Sequence, residues 1–230
     1  FQQMIQEAYF QANPLEANLS WFVSPSSSKV AVIIFSANKG LCGPFNNNII
    51  KQAKKTITDI KNQNLEPELF FIGKRAKDVL SGKFFTYYTK NTFENIHDFL
   101  SDAFLKGKYL RVEAIFNKYQ SVVSQKTTNL TLLPLSLEKK TLPCPGILII
   151  EPSPEDFLEK ACRRYIEILI FEANMETFIG EQAARMVAMD SATRSAKQML
   201  DHLKLQFNRT RQSMITKELV EVISGSEASI

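Results

Sequence analysis

The sequence predicts a small α/β domain inserted between the two halves of a helical hairpin. From Trp21 to Ile150, short apolar runs alternate with helical stretches, a pattern typical of βαβ units and an open, mainly parallel sheet. From Pro154 to about Ile223 the chain contains no further proline and a single glycine, Gly180. This second observation favours one helix of roughly 100 Å, which no compact core could cover.

The apolar residues of the C-terminal segment form a seam that repeats in steps of four and three. The seam positions are Met175, Ile179, Gln182, Met186, Met189, Thr193, Ala196, Leu200, Leu203, Phe207, Thr210 and Met214. Nine of the twelve are apolar, and a mean spacing of about 3.5 residues is typical of a left-handed coiled coil. The alternative is a long helix lying on a globular body, but its seam would repeat at about 3.6 residues.

A coiled coil needs a second helix to pair with the long C-terminal one. Residues 1–11 suit a helix, with Phe1, Met4, Ile5 and Ala8 on one face, before Asn13 and Pro14 end it. A helix of eleven residues cannot pair along the whole length of a helix of about seventy. We therefore expect the sequence to be the remainder of a longer one, with most of its N-terminal helix absent here. The alternative is homodimerisation through the long helix. The predicted regions are the end of the N-terminal coiled-coil helix at 1–13, the α/β domain at 21–150 and the long C-terminal helix at 151–230.

The elements of the α/β region follow from its apolar pattern. Lys29–Phe35 is a near-continuous, β-branched run typical of a strand buried on both faces. Ser153 is the expected N-cap of the long helix, with Pro154 at its first position. The other predicted elements are helices at 46–62, 74–80 and 93–105, strands at 68–72, 84–88, 110–119 and 122–134, with the last two able to pair antiparallel, an exposed loop at 136–146 and a short apolar run at 147–150.

Composition limits the class of protein. The chain has 230 residues, of which 44% are hydrophobic, enough for one full core plus an appendage. No stretch approaches the ~20 uninterrupted apolar residues of a membrane span, so we expect a soluble or peripheral protein. Cys42, Cys144 and Cys162 make an odd count without metal-ligand spacing, which favours reduced thiols in an intracellular compartment.

Charge is distributed unevenly along the long helix. Residues 185–217 carry seven basic and two acidic residues, whereas residues 151–181 carry eight acidic and three basic ones. The basic part could face an acidic protein surface or a nucleic acid. A solvated helix face is an equally good interpretation of the charge alone.

The loop at residues 36–43 (SANKGLCG) lies between a strand and a helix, where phosphate binds in dinucleotide and P-loop proteins. A P-loop needs Gly-Lys-Ser/Thr, but here Lys39 precedes Gly40, and a dinucleotide fingerprint needs a third glycine besides Gly40 and Gly43. The loop is therefore predicted to be a tight structural turn. His97 and His202 lie on separate predicted helices, and no GxSxG or HExxH motif is present. We predict a non-catalytic protein without a cofactor or metal.

Ser36–Asn48 (SANKGLCGPFNNN) and Glu181–Gly225 carry the most specific motifs of the chain. In the second, AARMVAM, AT, NxxRQ and ITKELxE are all in register. These segments resemble the two signature regions of the gamma subunit family of F-type ATP synthases. Glu151–Pro154 also resembles the turn that precedes the C-terminal helix of that family, so the resemblance spans nearly the whole chain.

The resemblance implies a Rossmann-like domain between two helices wound into an antiparallel coiled coil. It also implies a central-stalk rotor subunit that couples proton flow to ATP synthesis or hydrolysis by rotation of its coiled-coil shaft. The implied partners are the alpha and beta subunits of the catalytic hexamer, the epsilon subunit and the membrane c-ring, with one copy of this chain per complex. Such a protein is peripheral on an energy-transducing membrane, at the cytoplasmic face of a bacterial inner membrane or the organellar equivalent.

The resemblance also assigns roles to residues. Arg211, Gln212, Thr216 and Glu218 would contact the catalytic subunits, and Arg185, lower on the shaft, would face their mobile acidic loops. Glu151 would lie in the foot near the rotor ring, and Gly40 and Gly43 would form a structural turn. The alternative function is a coiled-coil adaptor that binds nucleic acid through the basic helix. It predicts base-stacking aromatic residues among the cations, and Phe207 alone meets that expectation.

Overall fold

The computed structural model describes residues 5, 8–9, 19–81, 86–89, 96–136, 151 and 153–227. The strands are β1 (Lys29–Phe35), β2 (Glu66–Ile72), β3 (Thr86–Thr89), β4 (Arg111–Tyr119) and β5 (Gln125–Leu133). The helices are α1 (Phe45–Asn62), α2 (Lys74–Leu80), α3 (Ile96–Leu105) and α4 (Pro154–Glu227), and a short 3-10 helix spans Leu19–Trp21.

The five strands form one sheet in the order β3-β2-β1-β4-β5. β1 pairs in parallel with β2 and β4, and β2 pairs in parallel with β3. β5 closes the sheet antiparallel to β4. This arrangement confirms the predicted open, mainly parallel α/β sheet with a closing antiparallel pair.

β1 lies at the centre of the sheet and contributes side chains to two cores. Val30, Val32 and Ile34 pack with α1 and α2, whereas Ile33 and Phe35 pack with α3 and the first part of α4. All five side chains are fully buried. The near-continuous apolar run is therefore explained by helices on both faces of the sheet, as predicted.

α4 is a single helix of 74 residues, and its first part belongs to the core of the α/β domain. The backbone N–H of Asp156 donates to Ser153 Oγ at 3.1 Å, which confirms the predicted N-cap. One face of α4 is buried against the sheet domain at Leu158, Ala161, Cys162, Ile166, Ile170 and Ala173. This buried stripe precedes the predicted seam, which begins at Met175, and Met175 and Ile179 are exposed.

The chain divides into two compact units, Phe1–Arg185 and Met186–Ile230. The first contains the sheet, α1 to α3 and the buried part of α4. In the second, residues 186–227 are helical, and every described side chain from Met189 to Gly225 is exposed.

Several predicted boundaries shift or lie outside the described residues. β5 begins at Gln125 instead of residue 122, because residues 121–124 form the hairpin turn, in which Ser121 and Ser124 exchange backbone hydrogen bonds. Ile5 and Ala8 are helical and buried, as predicted, but most of 1–11, most of the 136–146 loop and the 147–150 run lie outside the described residues. No helix in the described ranges has the length and apolarity that crossing a bilayer requires.

Cys42 and Cys162 are buried free thiols, and Cys144 lies outside the described residues. Burial raises the pKa of the Cys162 thiol to about 12, so this thiol stays protonated at neutral pH.

Candidate functional site: the exposed helix face and the glycine turn

The predicted seam is a row of exposed apolar side chains. Leu200, Leu203, Phe207 and Met214 leave 51%, 53%, 66% and 61% of their surface open to solvent. Contiguous exposed apolar surface of this kind marks an interaction site more often than a free surface. The seam of unit Met186–Ile230 is therefore a candidate interaction face.

Basic side chains are exposed in the same unit. Arg194 pairs with Asp190 at 2.8 Å, and Lys217 pairs with Glu221 at 3.8 Å, in both cases across one helical turn. Such exposed pairs contribute little stability and leave both groups available to a partner. Lys197, Lys204, Arg209 and Arg211 make no ion pair with any residue that the structure describes. The predicted excess of positive charge is thus presented to solvent.

Four of the five residues predicted to contact the catalytic subunits, namely Arg211, Gln212, Thr216 and Glu218, lie on this exposed helix. Arg211 and Glu218 are seven residues apart, so they share one face, and Gln212 and Thr216 share another, four residues apart. Thr216 Oγ1 donates to the carbonyl oxygen of Gln212 at 2.9 Å, which satisfies the hydroxyl proton within the helix. The side chains of Arg211, Gln212 and Glu218 remain exposed.

The glycine loop forms a tight turn between β1 and α1. Gly43 and Leu41 adopt left-handed backbone conformations, with φ of 57° and 64°. The backbone N–H of Ala37 donates to Asn46 Oδ1 at 3.0 Å, and the N–H of Lys74 donates to Asn38 Oδ1 at 3.2 Å. These two hydrogen bonds hold the loop against the start of α1 and of α2.

Gly73, which ends the second predicted strand, contacts this loop, and the sequence did not predict that contact. Gly73 has φ of 103°, and a Cβ placed on it would lie 1.9 Å from the carbonyl oxygen of Ser36. Ser36 Oγ accepts a hydrogen bond from the backbone N–H of Ala76 at 3.1 Å, which joins the start of α2 to the glycine turn. The sequence shows a glycine directly after a strand, which suggests a turn there. It does not show the contact with Ser36, which lies 37 positions away.

Arg185 is the predicted contact residue that the structure places against the glycine turn. Its guanidinium forms an ion pair with Glu181 at 2.5 Å, and Nη2 lies 3.5 Å from the carbonyl oxygen of Gly40. The side chains of Arg185 and Glu181 are 23% and 13% exposed. The pKa of the neighbouring Cys42 thiol is raised, first by burial and then by the negative charge of Glu181, while Arg185 opposes the shift.

Glu151, predicted for the foot, is exposed just before α4. His97 Nε2 lies 3.5 Å from Asp98 Oδ2 on α3. Among the residues that the structure describes, no three histidine, cysteine, aspartate or glutamate side chains are grouped closely enough to hold a metal ion.

Comparisons with known proteins identify the family. A family model described as ATP synthase matches residues 1–228. The ATP synthase gamma chain of Parabacteroides distasonis is 34% identical over 213 residues, covering 88% of this chain and 74% of that protein. The gamma chain of Trichlorobacter lovleyi is 33% identical over 229 residues, covering 94% of this chain and 80% of that protein. The chain belongs to the ATP synthase gamma chain family.

Solved structures agree with this family at the level of the fold. A chain in the mitochondrial ATP synthase of Euglena gracilis, solved as OSCP/F1/c-ring, matches with a TM-score of 0.64 and 18% identity, covering 98% of this chain and 84% of that one. A chain in the central stalk and c-ring structure from Tetrahymena thermophila matches with a TM-score of 0.58 and 21% identity, covering 84% and 85%. The sheet and long C-terminal helix thus share their fold with chains of solved ATP synthase structures. The comparisons give no support to the nucleic-acid adaptor.

One polar cluster of this gamma-chain domain was missed by the sequence analysis. Glu68 accepts hydrogen bonds from Tyr109 Oη at 2.6 Å and Lys108 Nζ at 3.0 Å, and Lys29 Nζ lies 3.4 Å away. Burial alone would raise the pKa of Glu68, but these hydrogen bonds and the charge of Lys108 outweigh it and hold the pKa below its usual value. The cluster stabilises the start of β1, β2 and β4, and its long sequence separations hid it from local patterns.

Proposed function

We propose that this chain is the central-stalk rotor subunit of a proton-translocating F-type ATP synthase. It couples ion flow through the membrane sector to ATP synthesis or hydrolysis in the catalytic hexamer, without performing the chemistry itself. The observation that carries the proposal is the helix Pro154–Glu227 of a gamma-chain family member, whose apolar seam is exposed from Met186 onward. A face of this length needs a second helical strand and a surrounding partner.

The second strand of the shaft is the helix that ends within residues 1–13. Ile5 and Ala8 are 3% and 0% exposed and belong to the same core as Ile166 and Ile170 of α4. This shared core supports a helix at the start of the chain that packs antiparallel to α4. The α/β domain at 21–150 is then the insertion between the two helices, and residues 151–230 form the C-terminal shaft helix.

The partners are the alpha and beta subunits of the hexamer, the epsilon subunit and the c-ring, with one copy of this chain per complex. Relatives of this fold occur in structures described as the central stalk with the c-ring and as the rotor of ATP synthases. Arg211, Gln212, Thr216 and Glu218 contact the catalytic subunits. Glu151 lies towards the rotor ring.

Coupling operates through unequal contacts around the shaft. An asymmetric shaft stabilises different conformations in successive catalytic subunits, and its rotation passes each subunit through its nucleotide-binding states. Exposed cations such as Lys204, Arg209 and Arg211 attract acidic loops at several angles without a fixed hydrogen-bonded register. The basic composition of the distal helix therefore suits a surface that turns.

The complex places this chain at the surface of an energy-transducing membrane. In a bacterium that surface is the cytoplasmic face of the inner membrane, and in an organelle it is the equivalent face.

The test is isolation of the native complex by an affinity tag on this chain. We expect a hexameric ATPase to co-purify and ATP hydrolysis to drive proton uptake into reconstituted vesicles, measured by quenching of a pH-sensitive dye. Recovery of nucleic acid with a salt-dependent mobility shift, and no ATPase, would contradict the proposal and support the adaptor.

A further inference from the structure

We propose that Glu181 and Arg185 are positioning residues that clamp α4 to the glycine turn of the α/β domain. The inference rests on the proposed rotor function and gives Arg185 a role inside this chain. The clamp comprises Arg185, Glu181 and the turn carbonyl of Gly40.

The contacts of Arg185 are directed inward. Nη2 reaches both Glu181 and the carbonyl oxygen of Gly40, and Nη1 donates to Gln182 Oε1 at 3.1 Å. Both charged side chains are largely removed from solvent, and Glu181 neutralises the guanidinium. A half-buried charge that loses its partner is costly, so each member of the pair holds the other in place. The charge of Arg185 is thus already compensated and is poorly suited to attract acidic loops from a distance.

Neighbouring contacts extend the clamp along one face of α4. A Cβ on Gly180 would lie 3.1 Å from Phe45 Cε2, so the helix approaches the start of α1 closely at this position. One turn earlier, Glu176 Oε2 accepts a hydrogen bond from the backbone N–H of Tyr119 at 2.5 Å, at the end of β4. Asn117 Nδ2 donates to the carbonyl oxygen of Phe45 at 3.2 Å, which ties the two docking points together.

This arrangement gives the clamp a mechanical role. A rotor transmits torque between its domain and its helix only if the helix does not slip against the domain, and residues 176–185 are the last part of α4 within unit Phe1–Arg185. At that point the glycine turn provides the carbonyl oxygen of Gly40, next to the left-handed residues Leu41 and Gly43. Loss of the clamp should loosen the turn and reduce coupling more than ATP hydrolysis.

The experiment uses the assembled ATP synthase with five variants of this chain. Arg185→Gln removes the positive charge. Glu181→Gln removes the ion pair, and Glu181→Asp retains a carboxylate. Arg185→Lys keeps the charge but loses the forked guanidinium that reaches Gly40, Gln182 and Glu181 together. The matched control is Glu167→Gln, which removes the exposed Arg164–Glu167 pair of the same helix.

Three measurements are made on each variant: ATP hydrolysis, protons pumped per ATP hydrolysed, and thiol labelling of Cys42 resolved by peptide mass spectrometry. For Glu181→Gln and Arg185→Lys we expect pumping per ATP to fall by roughly two- to thirtyfold, the range for residues that lie between coupled sites. Cys42 is 2% exposed, so its labelling should rise by about tenfold as the turn opens locally. In Glu181→Asp, pumping per ATP and Cys42 labelling should lie nearer to the wild-type values. In Glu167→Gln, both should match wild type.

Two results would overturn the clamp. Unchanged pumping and unchanged Cys42 labelling in both Glu181→Gln and Arg185→Lys would show that the pair positions nothing. Normal pumping in Arg185→Lys together with loss in Arg185→Gln would show that the charge acts directly on a partner. Failure of the rotor function itself is separate, because the wild-type chain would then neither co-purify with an ATPase nor support pumping.

Discussion

At the residue scale, Gly73 lies where a side chain cannot fit. Replacement by alanine places a methyl group 1.9 Å from the Ser36 carbonyl oxygen at a backbone φ of 103°. We expect Gly73→Ala to lower the free energy of unfolding by more than about 2 kcal/mol, because the contact is with backbone that cannot rotate away. Denaturant unfolding measures the change. Gly225→Ala is the matched control, since a Cβ there meets nothing within 4 Å, and a loss as large as that of Gly73→Ala would contradict the explanation.

Glu68 gives a residue-scale prediction about pH. Its folded pKa lies below the ordinary value of 4.5, so its carboxylate stabilises the fold above that pH, and the contribution is lost as pH falls through the folded pKa. We expect Glu68→Gln to destabilise the domain by about 1–3 kcal/mol at pH 7 and by progressively less below about pH 4.5. The free energy of unfolding of wild type and Glu68→Gln, measured from pH 3 to 8, tests this prediction. Glu66→Gln, on the same strand but 73% exposed, should show little change at any pH.

The sequence predicted chemistry at the residue scale less well than it predicted elements. The glycines of the turn were recognised because they lie together in the chain. The contacts of Gly73 with Ser36, Glu68 with Tyr109 and Arg185 with Gly40 span 37, 41 and 145 positions. Local periodicity contains no information about such pairs, so the polar cluster and the clamp were visible only in the folded chain.

At the element scale, α4 combines two faces with different partners. The sequence analysis identified its start, its N-cap and the seam from Met175, because each depends on local residue types. The stripe from Leu158 to Ala173 was missed as a core face, although its spacing of three and four residues was present in the sequence. The same part of the helix carries eight acidic residues between 151 and 181, so its apolar side is interleaved with charge.

The seam makes a testable prediction about this element. Leu203 is a seam residue and 53% exposed, whereas Leu205 lies on the opposite side of the helix and is 59% exposed. In the assembled complex, Leu203→Asp should raise hydrogen exchange of the amides in residues 196–210 by about tenfold or more, because a buried carboxylate disrupts the coiled-coil core. Leu205→Asp is the matched control. Equal exchange in the two variants would contradict pairing through the seam.

At the scale of the whole molecule, the sequence predicted the α/β architecture because its strongest signals coincide with its most buried elements. β1 was assigned with the bounds that the structure has, since a strand covered by helices on both faces is apolar throughout. The mainly parallel pairing followed from the alternation of strands and helices, whereas the order of the strands came only from the structure. The predicted boundary between the α/β domain and the shaft helix near residue 150 stays a prediction. The first part of α4 packs in the core of the domain, so the helix does not begin where the domain ends.

Rotary coupling itself is tested by the charged contacts of the distal helix. Arg211→Glu combined with Gln212→Ala replaces an exposed cation and an exposed amide, so the α/β domain should remain folded while the shaft repels the acidic loops it is proposed to attract. We expect ATP-driven proton pumping to fall by about tenfold or more with unchanged thermal unfolding of the domain, a loss of about 1.4 kcal/mol in the coupled step. Arg164→Glu is the control, because this residue is 60% exposed in the part of α4 that packs on the domain. Pumping at the wild-type rate in the double variant would remove Arg211 and Gln212 from the coupling surface, and equal losses in the double variant and in Arg164→Glu would indicate a general effect of charge.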